Sequence, residues 1–133
     1  MPYELKKLTP NLVVSDVGRS MAFYRDVLGF AATATVPDDA PYVFAAIQSG
    51  PVEIFLNAPE PAVAEYPAFK DRPIGGTPTL FLEVADVAGI HRSLEGRVPV
   101  VMPLEHKWYG VTEFAIADPD GYLITFAERD ATS

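Results

Sequence analysis

Apolar and polar residues alternate from Leu8 to Ser15, with Leu12 and Val14 on one side and Thr9, Asn11 and Val13 on the other, which is the period of a strand. The period then lengthens. Val17, Met21, Tyr24 and Leu28 lie at i, i+4, i+7 and i+11, an apolar stripe along one side of a helix. Ser15 or Asp16 supplies its N-cap and Gly29 its left-handed stop. Strands are predicted next over Ala32–Val36, Tyr42–Gln48 and Val52–Leu56, the last two joined by a tight turn at Ser49-Gly50. The same order then returns. A strand over Thr79–Val84 leads into a shorter helix, Val87–Glu95, which turns Val87, Ile90 and Leu94 inward and ends at Gly96. Three strands follow near Val98–Met102, Thr112–Ala117 and Tyr122–Glu128. Asp118-Pro119-Asp120-Gly121 is a turn by its chemistry, since Pro fixes φ, Asp tolerates turn geometry and Gly supplies a positive φ.

The recurrence is visible residue by residue. Leu12-Val13-Val14-Ser15-Asp16-Val17 reappears as Leu82-Glu83-Val84-Ala85-Asp86-Val87, four of six residues identical at an offset of seventy, and Phe44-Ala45 returns as Phe114-Ala115. A repeat of this length is one supersecondary unit used twice. It predicts two modules, each strand, helix and then three strands, whose half-open sheets close around a shared cavity. The modules are expected over residues 1–58 and 76–133 of a single domain. The linker, 59–75, holds Pro59, Pro61, Pro67 and Pro73, which disfavour a strand and leave room for a short helical turn near Ala62–Phe69.

Composition narrows the function classes. With 133 residues the chain is long enough to bury a core, and its 49% apolar and 21% charged content is that of an ordinary globular domain. No apolar run approaches the roughly 18 residues of a membrane span. The N-terminal segment has no apolar stretch behind its lysines, so the cytoplasm is the expected compartment. Without cysteine there is no disulfide, thiolate nucleophile or thiolate-bound metal. A net charge of −8, with no basic cluster beyond Lys6-Lys7, argues against nucleic acid. The acidity serves solubility first; a field that draws in a cationic ligand is the sharper alternative.

Three segments, Leu8–Val17, Ser20–Phe30 with its Phe23-Tyr24 and Leu28-Gly29-Phe30, and Phe114–Tyr122 with Asp-Pro-Asp-Gly, together resemble the vicinal oxygen chelate superfamily. That group includes glyoxalase I, bleomycin-resistance proteins, fosfomycin-resistance enzymes and extradiol dioxygenases. The resemblance implies an α+β fold: two βαβββ modules forming a curved, cup-shaped mixed sheet with helices on its outer face, completed in a homodimer. It does not set the activity, because the fold hosts lyases, dioxygenases, transferases and plain binding proteins.

It also implies where a metal would sit. Metal-dependent members carry four ligands, usually His and Glu, on the cup face. Two stand seven residues before the Asp of each Asp-Val pair, and those positions hold Thr9 and Thr79. A third, four residues past the turn glycine, holds Thr125. The fourth falls in Val52–Leu56, where two registers compete. Matching Gly50 to Gly121 selects Ile54. Matching hydrophobic faces selects Phe55 and leaves Glu53, Phe55 and Asn57 facing the cup, which fits the pattern better. Either residue is apolar. Neutral hydroxyls and a phenyl ring supply neither the charge nor the donor strength a divalent ion needs, and Glu53 and Asn11 are weak substitutes. No metal or other cofactor is expected.

The remaining candidates are few. His91 flanks the second helix and His106 lies in Glu105–Gly110, a loop entering the penultimate strand; neither has the partners of a Ser-His-Asp triad. Trp108 and Tyr109, large rings beside Gly110, suit a pocket wall that stacks on a ligand, or equally a cover for the cup edge or a dimer contact. Glu83 shares the parity of Thr79 and Phe81 and so their face. The sequence thus points to a metal-free protein, similar to the bleomycin-resistance branch, that sequesters an organic small molecule. Trp108, Tyr109, Phe55 and Phe81 would stack on it, Glu53 and Glu83 would pair any positive charge, and Thr9, Asn11, Thr79 and Thr125 would hydrogen-bond. A metal-dependent lyase or dioxygenase is the alternative, and a dimer acting only on another protein a third.

Overall fold

The computed structural model describes residues 4–131. The opening residues of the segment searched for a leader, 1–3, and the end of the second module, 132–133, lie outside it. The chain divides into two compact units, the first ending at Arg72 and the second starting at Pro73. Both have the order strand, helix and three strands, in an α+β arrangement of two βαβββ modules.

The first module comprises β1 (Asn11–Val13), α1 (Val17–Leu28), β2 (Ala31–Val36), β3 (Phe44–Ser49) and β4 (Val52–Asn57). Its strands lie in the order β1-β4-β3-β2, with β1 parallel to β4 and the rest antiparallel. Leu12, Val14, Ala45, Ile47, Ile54 and Leu56 are buried with Val17 and Tyr24 of α1, so the strand alternation and the helical stripe meet in one core. Asp16 caps α1 by accepting from the Arg19 N–H at 3.0 Å, and Gly29 ends it at φ 75°. β1 is shorter than the predicted Leu8–Ser15. Pro10 has no N–H to give the ladder, and its carbonyl accepts from the Phe55 N–H just before β1 begins.

After β4 come α2 (Pro59–Glu65) and a 3-10 turn at Pro67–Phe69, around the expected helical turn. The second module is β5 (Thr79–Glu83), α3 (Val87–Leu94), β6 (Val100–Lys107), β7 (Val111–Ala117) and β8 (Leu123–Arg129), ordered β5-β8-β7-β6. Asp86 caps α3 through the Gly89 N–H at 3.1 Å, the counterpart of Asp16. Phe114 and Phe126 stack at 4.9 Å in a core with Val87, Leu94, Ile116 and Ile124. Asp118 closes the Asp-Pro-Asp-Gly turn, its Oδ1 accepting from the Asp120 and Tyr122 N–H groups at 2.9 Å each.

β6 departs from expectation. It runs to Lys107 instead of stopping at Met102, so His106 is a strand residue and the loop is only the Trp108-Tyr109-Gly110 turn. Pro103 reads as a breaker, but β6 is the outer strand, and its pairing with β7 is irregular between Met102 and Glu105. An edge strand with a bulge tolerates a missing N–H. Among the described residues no helix is long and apolar enough to cross a membrane.

Candidate functional site

The sheet face opposite α3 is set by parity. Thr79, Phe81 and Glu83 of β5 stand on it, since Leu80 and Leu82 alternate with them. Register extends the face across the module: Phe81 pairs with Thr125, Thr125 with Ala115, and Ala115 with Met102. The next row is Glu83, Ala127, Glu113 and Glu105. Phe81 is 52% exposed. An apolar and hydroxyl row therefore runs beside a row with three carboxylates.

The hydrogen bonds on this face are specific. The hydroxyls of Thr79 and Thr125 lie 2.8 Å apart, and Thr79 Oγ1 also donates to the Leu123 carbonyl at 3.2 Å. Glu83 is held by Arg129, Nε to Oε1 at 2.7 Å. Lys107 lies 3.4 Å from Glu105. Tyr109, in the β6–β7 turn, donates its hydroxyl to Glu113 Oε1 at 2.7 Å. That bond, with some desolvation and the charges of Glu113 and Glu105, holds the Tyr109 phenol above its ordinary pKa. Trp108 stands edge-on to Tyr109, ring centres 5.3 Å apart, and is 93% exposed.

The corresponding face of the first module carries the other predicted residues. Phe55 pairs with Asn11, as Thr125 pairs with Phe81, so the seventy-residue offset holds and Phe55, not Ile54, is the counterpart of Thr125. Ile54 is buried on the helix side. Phe55 packs on Phe44, ring centres 5.4 Å apart, while Asn57 donates its amide to Asn11 Oδ1. Thr9 precedes β1 and is partly buried. Glu53 is paired with Lys7, Nζ to Oε1 at 2.6 Å. Register and parity put Asn11 and Phe55 on one face of the first module and Thr79, Phe81, Glu83 and Thr125 on one face of the second, while Thr9 precedes β1 and Trp108 and Tyr109 lie in the β6–β7 turn. Glu53 and Glu83, however, each already hold a cation of the chain itself.

Glu113 escapes sequence reasoning. It lies in the apolar strand Val111–Ala117, is only 6% exposed, and its Oε2 has no hydrogen-bond partner among the described residues. The signal was there, in a lone carboxylate interrupting an apolar strand four residues after an aromatic pair. Each histidine has a partner within the chain. His91 packs edge-on against Phe114 at 5.0 Å, and His106 Nε2 meets Asp130 at 2.9 Å on an exposed strand.

A divalent ion does not fit the four positions at which the sequence resemblance implies ligands. Thr79 and Thr125 use their hydroxyls on each other, Phe55 offers a hydrocarbon ring, and Thr9 is neutral. Among the described residues no three His, Asp or Glu side chains gather to add charge.

Comparison with known proteins places this geometry. Residues 7–126 match the family model of the Glyoxalase/Bleomycin resistance protein/Dioxygenase superfamily. A bleomycin resistance protein of Geobacillus stearothermophilus is 27% identical, over 90% of this chain and 94% of its own. A glyoxalase/bleomycin resistance protein/dioxygenase from Nocardioides shares the fold at a TM-score of 0.78, 19% identical over 98% of this chain and 88% of its own. A lactoylglutathione lyase from Agrobacterium tumefaciens does so at 0.73, 20% identical over 95% of both chains. At those identities the two structures speak for the fold alone.

Proposed function

Since this chain belongs to the Glyoxalase/Bleomycin resistance protein/Dioxygenase superfamily, whose fold serves enzymes and binding proteins alike, we propose that it binds and sequesters an organic small molecule without a metal. The observation that carries this reading is the state of the positions where the resemblance implies metal ligands: Thr79 and Thr125 bonded to each other and Phe55 in an aromatic contact. Such groups serve a ligand by hydrogen bonding and stacking rather than by coordination. In the second module the exposed Phe81, Trp108 and Tyr109 give stacking area, and Thr79, Thr125 and Glu83 border it with polar groups. Thr9, Asn11, Glu53 and Phe55 offer the first module's equivalent. The protein works in the cytoplasm as a homodimer that covers exposed strand edges; sedimentation at the 14.5 kDa monomer mass would remove the dimer.

The test is thermal stabilisation by a panel of aromatic and cationic compounds that includes bleomycin, the compound in the name of the Geobacillus relative. A ligand of the native state raises stability by RT ln(1 + [L]/Kd), about 2.7 kcal/mol at a hundredfold excess over Kd. Stabilisation should be the same with and without chelator. Stabilisation or turnover that appears only on adding a divalent ion would sink the metal-free reading and favour a lyase or dioxygenase.

A further inference from the structure

We propose that Glu113 is the anchoring group for the ligand, and that the ligand class it selects is an aromatic or apolar cation bearing N–H donors, an amidinium, guanidinium or primary ammonium. This rests on the binding reading above and names its ligand class. Register places Glu113 in one row with Glu83, Ala127 and Glu105, neighbouring strands roughly 4.8 Å apart. Two of the three carboxylates in that row are neutralised internally, Glu83 by Arg129 and Glu105 by Lys107. Glu113 is not. Its Oε1 takes one hydroxyl hydrogen bond, and its buried Oε2 has no donor among the described residues.

A buried carboxylate oxygen without a donor forfeits the water it would otherwise bind, so such groups are few in native proteins and call for an explanation. Nothing in the packing of β7 requires a glutamate there. Its face neighbours on β7 and β8, Val111, Ala115 and Ala127, are apolar, its partner on β6 is another carboxylate, Glu105, and glutamate is a poor strand former. A ligand N–H that reaches Oε2 satisfies the group and supplies the missing positive charge. The side chains beside the carboxylate, Ala115 and Ala127, are small and themselves buried. The adjoining row of Phe81, Thr125 and Met102 offers an apolar bed for the body of the same molecule. Tyr109, 50% exposed and hydrogen-bonded to Oε1, links the buried carboxylate to the surface and is the side chain that must turn to admit a ligand. Charge alone is not enough: the vacant lone pairs ask for a donor, so a quaternary ammonium lacks what Oε2 needs.

The experiment titrates the full-length, isotope-labelled chain by NMR with benzamidinium, benzyltrimethylammonium and benzyl alcohol. Benzamidinium should bind saturably and shift the Glu113, Tyr109 and Ala127 amides, with the quaternary ion and the neutral alcohol each about tenfold weaker or worse. Glu113→Gln keeps an acceptor for Tyr109, so it should fold, melt no lower than the parent, and lose about tenfold or more of benzamidinium affinity. Glu95→Gln, at the exposed C-terminal end of α3 and outside the site, should keep that affinity. Equal binding of the amidinium and quaternary ions to the parent overturns the proposal without using any variant. So does unchanged affinity in Glu113→Gln, or no saturable benzamidinium binding. The binding reading is judged separately: a compound that stabilises the parent and Glu113→Gln equally, with chelator present, supports sequestration while removing Glu113 from it.

Discussion

Replacing Trp108 by alanine separates a ligand-stacking residue from a structural one, because the structure makes the two costs unequal. Less than a tenth of the Trp108 surface is covered within the chain, and its ring contact is the edge-on one with its sequence neighbour. An aromatic side chain that buries ~200 Å² gains about 5 kcal/mol at ~25 cal/mol per Å², so covering under a tenth of that area is worth about 0.4 kcal/mol. The ring contact adds about 0.5–1.5 kcal/mol. Stability should therefore fall by at most about 2 kcal/mol, a drop of several degrees in melting temperature. A ligand laid flat on the indole would cover about half of it, roughly 100 Å², worth about 2.5 kcal/mol before ordering costs are subtracted. A rise in Kd of at least about tenfold is the expected outcome. Trp108 is the sole tryptophan, so ligand binding to the parent chain reads out in its fluorescence. Calorimetry gives the affinity of Trp108→Ala, and circular dichroism its melting curve. For a compound already shown to bind, an affinity unchanged within about twofold would refute the stacking role. A dimer that dissociates in the variant would reassign the ring to a subunit contact.

Two further outcomes follow from particular residues. Gly75 is buried at φ 94°, and a methyl built on it runs into the Asp120 carbonyl, so Gly75→Ala should lose about 2–4 kcal/mol in urea unfolding, from left-handed strain and overpacking; a loss below about 1 kcal/mol would show that the Asp118–Gly121 turn yields freely. The Tyr109 phenol, raised by its bond to Glu113, contributes stability that is fully present below its unfolded value near 10 and is lost as pH rises through its higher folded value. Alkaline unfolding curves should therefore fall more steeply with pH in the parent than in Tyr109→Phe, and identical curves would count against the bond.

Much of the local structure was legible because it is written in short-range chemistry. Ser15 or Asp16 marked the first helix start, Gly29 its stop and Asp118–Gly121 a turn, and Asp16, Gly29 and Asp118 do this through bonds to backbone groups within a few residues. The alternation in Val52–Leu56 assigned Ile54 and Leu56 to the core, leaving Phe55 on the opposite face in register with Asn11. β6 runs on through Pro103 to Lys107, past the expected end at Met102. Its tolerance depends on being the outer strand, and strand order is a property of the sheet rather than of the segment.

What the amino-acid sequence determined by itself was the repeated βαβββ unit, the faces of its strands and the presence of Thr9, Thr79, Thr125 and Phe55 where the family resemblance implies metal ligands. Which carboxylates are already paired was decided only in three dimensions. Glu53 and Glu83 look free along the chain, yet Lys7 and Arg129, each forty-six residues away, lie within 2.6 and 2.7 Å. Glu113 interrupts an apolar strand along the chain, but its burial follows only from β7 being an inner strand, flanked on both sides. Burial and the count of available donors are set by every strand that packs around a residue. Short-range patterns carry no record of them, so the buried carboxylate with a vacant oxygen among the described residues emerged only from the assembled sheet.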